Sequence, residues 1–193
     1  MPTNRSSVDA DPGNRLSLLF TALFYGMLGL FGAGGLFLSR PELFRSLFDL
    51  RSLPLHAIMG VGLGGCVVLL SRLAVRRFAW AGGMEEEFRA LLRDQPGWTI
   101  PLLALFSAVG EEIFFRGALQ EFIGFWFAVA IFGVAHFPFS RKMWAWPLFA
   151  LAMGAVFGGV TIWTGTLWMA IVAHGTINGL NMWMILRKEG EES

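Results

Sequence analysis

Residues 101–127 form an apolar run long enough to enter a bilayer, and Glu111, Glu112 and Arg116 stand inside it. Charged side chains at mid-membrane depth cost at least ~2.5 kcal/mol each, so they are normally kept only where they face a bundle interior and do chemistry. That run therefore sets the terms for the rest of the chain.

The surrounding composition agrees. Of 193 residues 55% are hydrophobic and 15% charged, too little charge for a soluble domain of this length. A net charge of +1 suggests no nucleic-acid partner. The single cysteine, Cys66, excludes an intrachain disulfide, gives no hint of a thiolate metal site, and is read as a small core residue. About 20 apolar residues cross ~30 Å of hydrocarbon, which predicts six spans at 16–38, 55–73, 98–119, 122–137, 143–163 and 167–186. The fold class expected is an all-α polytopic transmembrane helical bundle. Its divisions are a flexible polar tail (1–15), two spans with interfacial loop helices (16–97), a catalytic membrane core (98–186) and a polar C-terminal tail (187–193). Between the first two spans, 39–54 mixes Arg and Phe as an interfacial helix does. Residues 74–97 predict a short surface helix, with Glu85, Glu86 and Glu87 ahead of Arg89 and Arg93.

Lys and Arg concentrate in the segments that are inside if the amino terminus is inside, so both termini are expected in the cytoplasm. Gly60, Gly64 and Gly65 on the second span, and Gly154, Gly158 and Gly159 on the fifth, form small-residue stripes assigned to helix packing. A zinc-protease HExxH pattern and a phosphate-cradling glycine loop are both absent from the sequence.

Three constellations carry chemistry. On the third span Glu112 and Arg116 are four residues apart and meet on one helix face, while Glu111 points about 100° away and is left free. On the fourth span Phe132 precedes His136 by one turn, just before Phe137-Pro138. The sixth places His174 and Asn178 on one face, with Asn181 near the same stripe. Counting 1.5 Å per residue from the turns at 120–121 and 164–166, Glu111 lies roughly 13 Å below that face, His136 roughly 20 Å, His174 roughly 10 Å and Asn178 roughly 18 Å. Helix tilt absorbs that scatter, so the four groups can share one cavity.

In order and spacing these residues resemble the CPBP intramembrane proteases, a family that includes the type II CAAX prenyl endopeptidases and many bacterial Abi-type proteins. Glu111-Glu112 with Arg116, Phe132 with His136, and His174 with Asn178 match its EExxxR, FxxxH and HxxxN/D motifs. The resemblance covers 98–186, and the first two spans carry none of these motifs.

The resemblance implies an intramembrane endopeptidase of multi-pass topology in a bacterial inner membrane. Glu111 and His136 would activate a water, and His174 and Asn178 would stabilise the oxyanion. The bottom-up chemistry agrees, since a desolvated carboxylate is a better base and neutral imidazole and carboxamide N–H groups can donate to an alkoxide. Glu112 and Arg116 would be a structural ion pair and Phe132 the motif aromatic. No cofactor is required in this reading. The alternative is a zinc site of Glu111, His136 and His174. Partners would be the bilayer and a membrane-associated protein or peptide, and the charge count puts the cavity nearer the outer face. From other classes, a proton-coupled transporter would relay protons through Glu111, His136 and His174, and a non-catalytic immunity-type binder would use the same residues without turnover.

Overall fold

In the computed structural model, which describes residues 18–93, 95–138 and 140–192, every regular element is a helix. The expected polar tail and the start of the first expected span fall at 1–17, outside the described residues. The order is α1 (Leu18–Ser39), α2 (Pro41–Ser46), α3 (Leu53–Arg77), α4 (Ala79–Leu92) and α5 (Thr99–Glu111). The chain then continues without interruption through a π-helical segment (Glu112–Leu119) into α6 (Gln120–Ile123). After it come α7 (Phe125–Ala135), a 3-10 turn (Arg141–Met143), α8 (Trp146–Thr164) and α9 (Trp168–Glu192). The last helix passes the limit of 186 expected for the final span.

Local chemistry explains the breaks. Pro41, Pro54 and Pro147 sit in the first turns of α2, α3 and α8, where a missing N–H leaves no bond unmade. Gly124 (φ +86°) and Gly165 (φ +66°) hold the left-handed conformations that end α6 and α8, which side chains with a Cβ rarely adopt.

Among the described residues four helices are long and apolar enough to cross a membrane, Leu18–Ser39, Leu53–Arg77, Arg141–Thr164 and Trp168–Arg187. Six were expected. The third expected span exists as the continuous helix Thr99–Ile123, which is long enough but carries Glu111, Glu112, Arg116 and Glu121. The fourth shrinks to the 11 residues of α7, and at 1.5 Å per residue it reaches about half way through ~30 Å of hydrocarbon. Glycine at 124 starts it late and the turn at His136 stops it early. The fold remains a polytopic helical membrane bundle, with α7 too short to cross hydrocarbon alone.

Two parallel helix pairs frame that bundle. On α3, a Cβ added at Gly60 or Gly64 would come within 2.8 Å of Val172 or 2.7 Å of Thr176 on α9. On α1, Gly32 lies so close to the π-helical segment that a Cβ there would meet the Phe114 backbone at 2.6 Å. Small residues thus set the interhelical distances. Of the stripes expected from sequence, Gly60, Gly64, Gly154 and Gly158 pack against neighbours, whereas Gly65 and Gly159 face open space. Asn181 accepts a hydrogen bond from Ser71 Oγ at 3.3 Å, tying α3 to α9 away from the site. Cys66, expected in the core, is on the exposed side of α3.

The surface helix expected within 74–97 is α4. Its buried Glu85 pairs with Arg72 of α3 and, at 3.2 Å, with Arg89 one turn on. That anchors α4 against α3, and Phe88 then packs edge-on against Trp146, ring centroids 4.9 Å apart, at the start of α8.

Candidate active site

The two adjacent glutamates are both buried, yet their surroundings differ. Glu112 is fully enclosed: its Oε1 accepts a hydrogen bond from Arg116 Nη1 at 3.2 Å and lies 2.8 Å from His174 Nδ1. A carboxylate only accepts, so His174 Nδ1 carries the proton. The ring of Phe157 stacks on His174 with centroids 5.4 Å apart. Arg116 has its guanidinium over the Phe132 ring at 4.0 Å and near Phe157 at 5.4 Å. In a desolvated interior such cation–π contacts help hold a charge that a single carboxylate shares with a second partner.

Glu111 and His136 are arranged otherwise. At the end of α7 the His136 amide turns to the Gly133 carbonyl at 3.1 Å, and the His136 Nδ1 lies 2.7 Å from the Phe132 carbonyl oxygen. A carbonyl accepts only, so Nδ1 holds the proton and Nε2 of the neutral ring presents a lone pair. That Nε2 faces Glu111 Oε2 across 3.8 Å, too far for a direct hydrogen bond. Glu111 Oε2 is buried without a hydrogen-bond partner in the protein. Two acceptors aimed at one gap are satisfied together by a molecule that donates twice, as water does.

Phe132 joins both regions. Its ring packs edge-on against Phe115 at 4.9 Å and lies 4.5 Å from the His136 ring, while its carbonyl sets the His136 tautomer. Asn178 completes the site from α9, donating from Nδ2 to Ser107 Oγ at 3.0 Å. His136, His174, Asn178 and Phe132 line one cavity with Trp146 and Phe149. The cavity is small, about 20 Å³, enough for a water molecule.

Residues 93–180 match the family model described as "Type II CAAX prenyl endopeptidase Rce1-like". The match spans 88 of the 193 residues, under half of the chain. A further similarity is to YpbD of Bacillus subtilis (strain 168), described as an uncharacterized protein, at 39% identity over 83 residues. That alignment covers 42% of this chain and 42% of the relative, so it spans under half the relative's length. No solved structure matches. The Rce1-like segment contains Glu111, Glu112, Arg116, Phe132, His136, His174 and Asn178, and it stops before Asn181.

Of the four groups expected to share one cavity, His136, His174 and Asn178 line it, while Glu111 faces His136 without being part of the lining, and two further differences follow. His174 is bonded to Glu112, so the expected isolated Glu112–Arg116 pair is a cluster of three. With Nδ1–H committed there, a neutral His174 has no second N–H to offer an oxyanion; only the imidazolium donates from Nε2. In the alternative zinc site of Glu111, His136 and His174, both imidazoles have Nδ1 turned to an acceptor and Nε2 left over, but among the described residues no three His, Cys, Asp or Glu side chains are grouped closely enough to hold an ion.

Two neighbours escaped the sequence reading. Ser107 stands one turn before Glu111 on α5, a spacing that could have flagged it. Tyr25 lies outside the Rce1-like segment, on α1, with its hydroxyl against the Glu111 carboxylate. Its backbone is pressed so closely on Gly110 that a Cβ there would meet the Tyr25 carbonyl oxygen at 2.5 Å. Its signal was rarity, as the only tyrosine in the chain.

Proposed function

We propose that this protein is an intramembrane endopeptidase that hydrolyses a peptide bond of a membrane-associated protein or peptide with a water held between Glu111 and His136. The observation that carries the reading is the 3.8 Å gap between Glu111 Oε2 and His136 Nε2, with the imidazole tautomer set by the Phe132 carbonyl. Glu111 takes one proton from the water as its oxygen bonds to the scissile carbonyl carbon, and His136 accepts the water's other hydrogen bond. The carbonyl oxygen becomes an alkoxide. Asn178 has two N–H donors and gives one to Ser107, which leaves the other for that oxygen. His174, whose Nδ1–H is given to Glu112, is the second donor through Nε2 when protonated. Glu111 then passes its proton to the departing amine as the C–N bond breaks, which restores the carboxylate.

No step in this scheme uses a metal. The match of residues 93–180 to the Rce1-like prenyl endopeptidase model supports peptide hydrolysis as the reaction class. We assign both termini to the cytoplasm on the distribution of Lys and Arg. The cavity wall formed by Trp146 adjoins α4, at the end of the bundle where Arg72, Arg89 and Lys142 gather. That favours access from the cytoplasmic half over the outer face expected from the charge count, because α7, too short to cross alone, leaves His136 open towards that end.

The test is to incubate purified protein with a library of membrane-inserted peptides and follow cleavage by mass spectrometry, with Glu111→Gln as the control. Products from the parent and none from the variant are expected. Equal cleavage by both would remove Glu111 from the reaction.

A further inference from the structure

The His136 ring is part-exposed at its mouth, but about 20 Å³ of space beside it admits a water and not a substrate side chain, so a wall must move for a peptide to seat against it. The walls are unequal. The π-helical segment and α9 are joined by the buried Arg116–Glu112–His174 cluster, and breaking such a group strands a charge in the interior. On the opposite side stands Trp146, its ring 5.5 Å from His136, 4.9 Å from Phe88 of α4 and 5.8 Å from Phe149. The 3-10 turn just before it is attached to α4 through Lys142, which pairs with Glu86 at 3.2 Å and Glu87 at 3.7 Å. Exposed pairs of this kind contribute little and separate easily.

We propose that Trp146, propped by Phe88, is the gate and specificity-determining residue of this site. With α4 held to α3 through Glu85, swinging the 3-10 turn away from α4 frees the indole to leave His136, and a substrate side chain takes its place. The vacated space is bounded by Phe132, Phe149, Met153 and Ile177, so the side chain it selects beside the scissile bond is large and apolar. The substrate class rests on the peptidase reading; the gating motion does not.

The gate can be locked. A Cβ built on Gly83 of α4 lies 3.9 Å from the Cβ of Lys142, inside the ~3.5–4.5 Å range of disulfides. Gly83→Cys with Lys142→Cys, in a Cys66→Ser background that removes the only native cysteine, therefore gives a reversible bridge. The readout is the rate of modification of His136 by diethyl pyrocarbonate, mapped by mass spectrometry against His56 on α3 as internal reference. Oxidation should slow His136 about tenfold or more, by suppressing local opening, with full recovery on reduction and no change at His56. Equal His136 rates in the bridged and reduced forms would overturn the gate. Should the bridge not form, Phe88→Ala serves alone: faster His136 modification supports the gate, and an unchanged rate overturns it. Cleavage of peptides with large apolar side chains is followed in parallel. Gated modification of His136 without cleavage by either form would uphold the gate and defeat the peptidase reading.

Discussion

Glu111 with His136 and Glu112 with His174 are two carboxylate–imidazole pairs built from neighbouring residues, and they have opposite designs. The second is closed: 2.8 Å apart, with Arg116 added and aromatic rings around it. The first is held open at 3.8 Å, with both facing atoms acceptors and one of them lacking any protein partner. In the closed cluster Glu112 Oε2 and Arg116 Nη2 are also buried without partners, but Oε1 is committed to both Arg116 and His174, and those bonds hold helices in place. Groups kept apart by a rigid frame keep their bonding capacity for a third molecule. The difference separates reactivity from framework within two adjacent residues.

The largest effect expected on that contrast comes from the open pair. Glu111→Gln should lower turnover by about 10²–10⁴-fold, the range lost with a general base, while thermal unfolding in detergent stays where it was. A large fall in melting temperature would show that Glu111 is framework too. In the closed pair the balance reverses. Either Glu112→Ala or Arg116→Ala should destabilise the protein by ~3–5 kcal/mol, since removing one partner leaves the other buried and unpaired. Denaturation that is unchanged while activity is lost would move Glu112 into the chemistry.

Asn178 sharpens the comparison from the side of the transition state. Asn178→Ala should reduce kcat by roughly 10²–10³-fold with KM little altered, as for an oxyanion donor. Turnover of the parent enzyme should also survive exhaustive chelation. Stoichiometric zinc by elemental analysis, with activity abolished by chelator and restored by zinc, would defeat the metal-free scheme. The smallest effect is expected at Tyr25. Tyr25→Phe removes one hydroxyl from beside Glu111 and should slow turnover by about tenfold or less without altering the fold; unchanged kinetics would make Tyr25 a packing residue only.

Much of this molecule was legible in the residues themselves. Apolar runs of membrane length placed α1, α3, α8 and α9 within a few residues, because crossing hydrocarbon is a local demand on length and composition. Glu111, Glu112, Arg116, Phe132, His136, His174 and Asn178 stood out because polar groups are rare among so many apolar ones and their spacings fit known motifs.

Tertiary structure decided the rest. An i,i+4 spacing predicted that Arg116 would meet Glu112, but only the packing of α9 against the π-helical segment brings His174 to the same oxygen. The π-helical geometry had no local signature, because a widened helical turn is stabilised by what packs around it. Tyr25 reaches Glu111 because Gly110 lets α1 approach, a contact between residues far apart in sequence. Which ring nitrogen of each histidine keeps its proton was set by the acceptor facing it, the Phe132 carbonyl in one case and the Glu112 carboxylate in the other. Residue type and spacing thus determined which groups enter the membrane interior, and three-dimensional contact determined which were left unpaired.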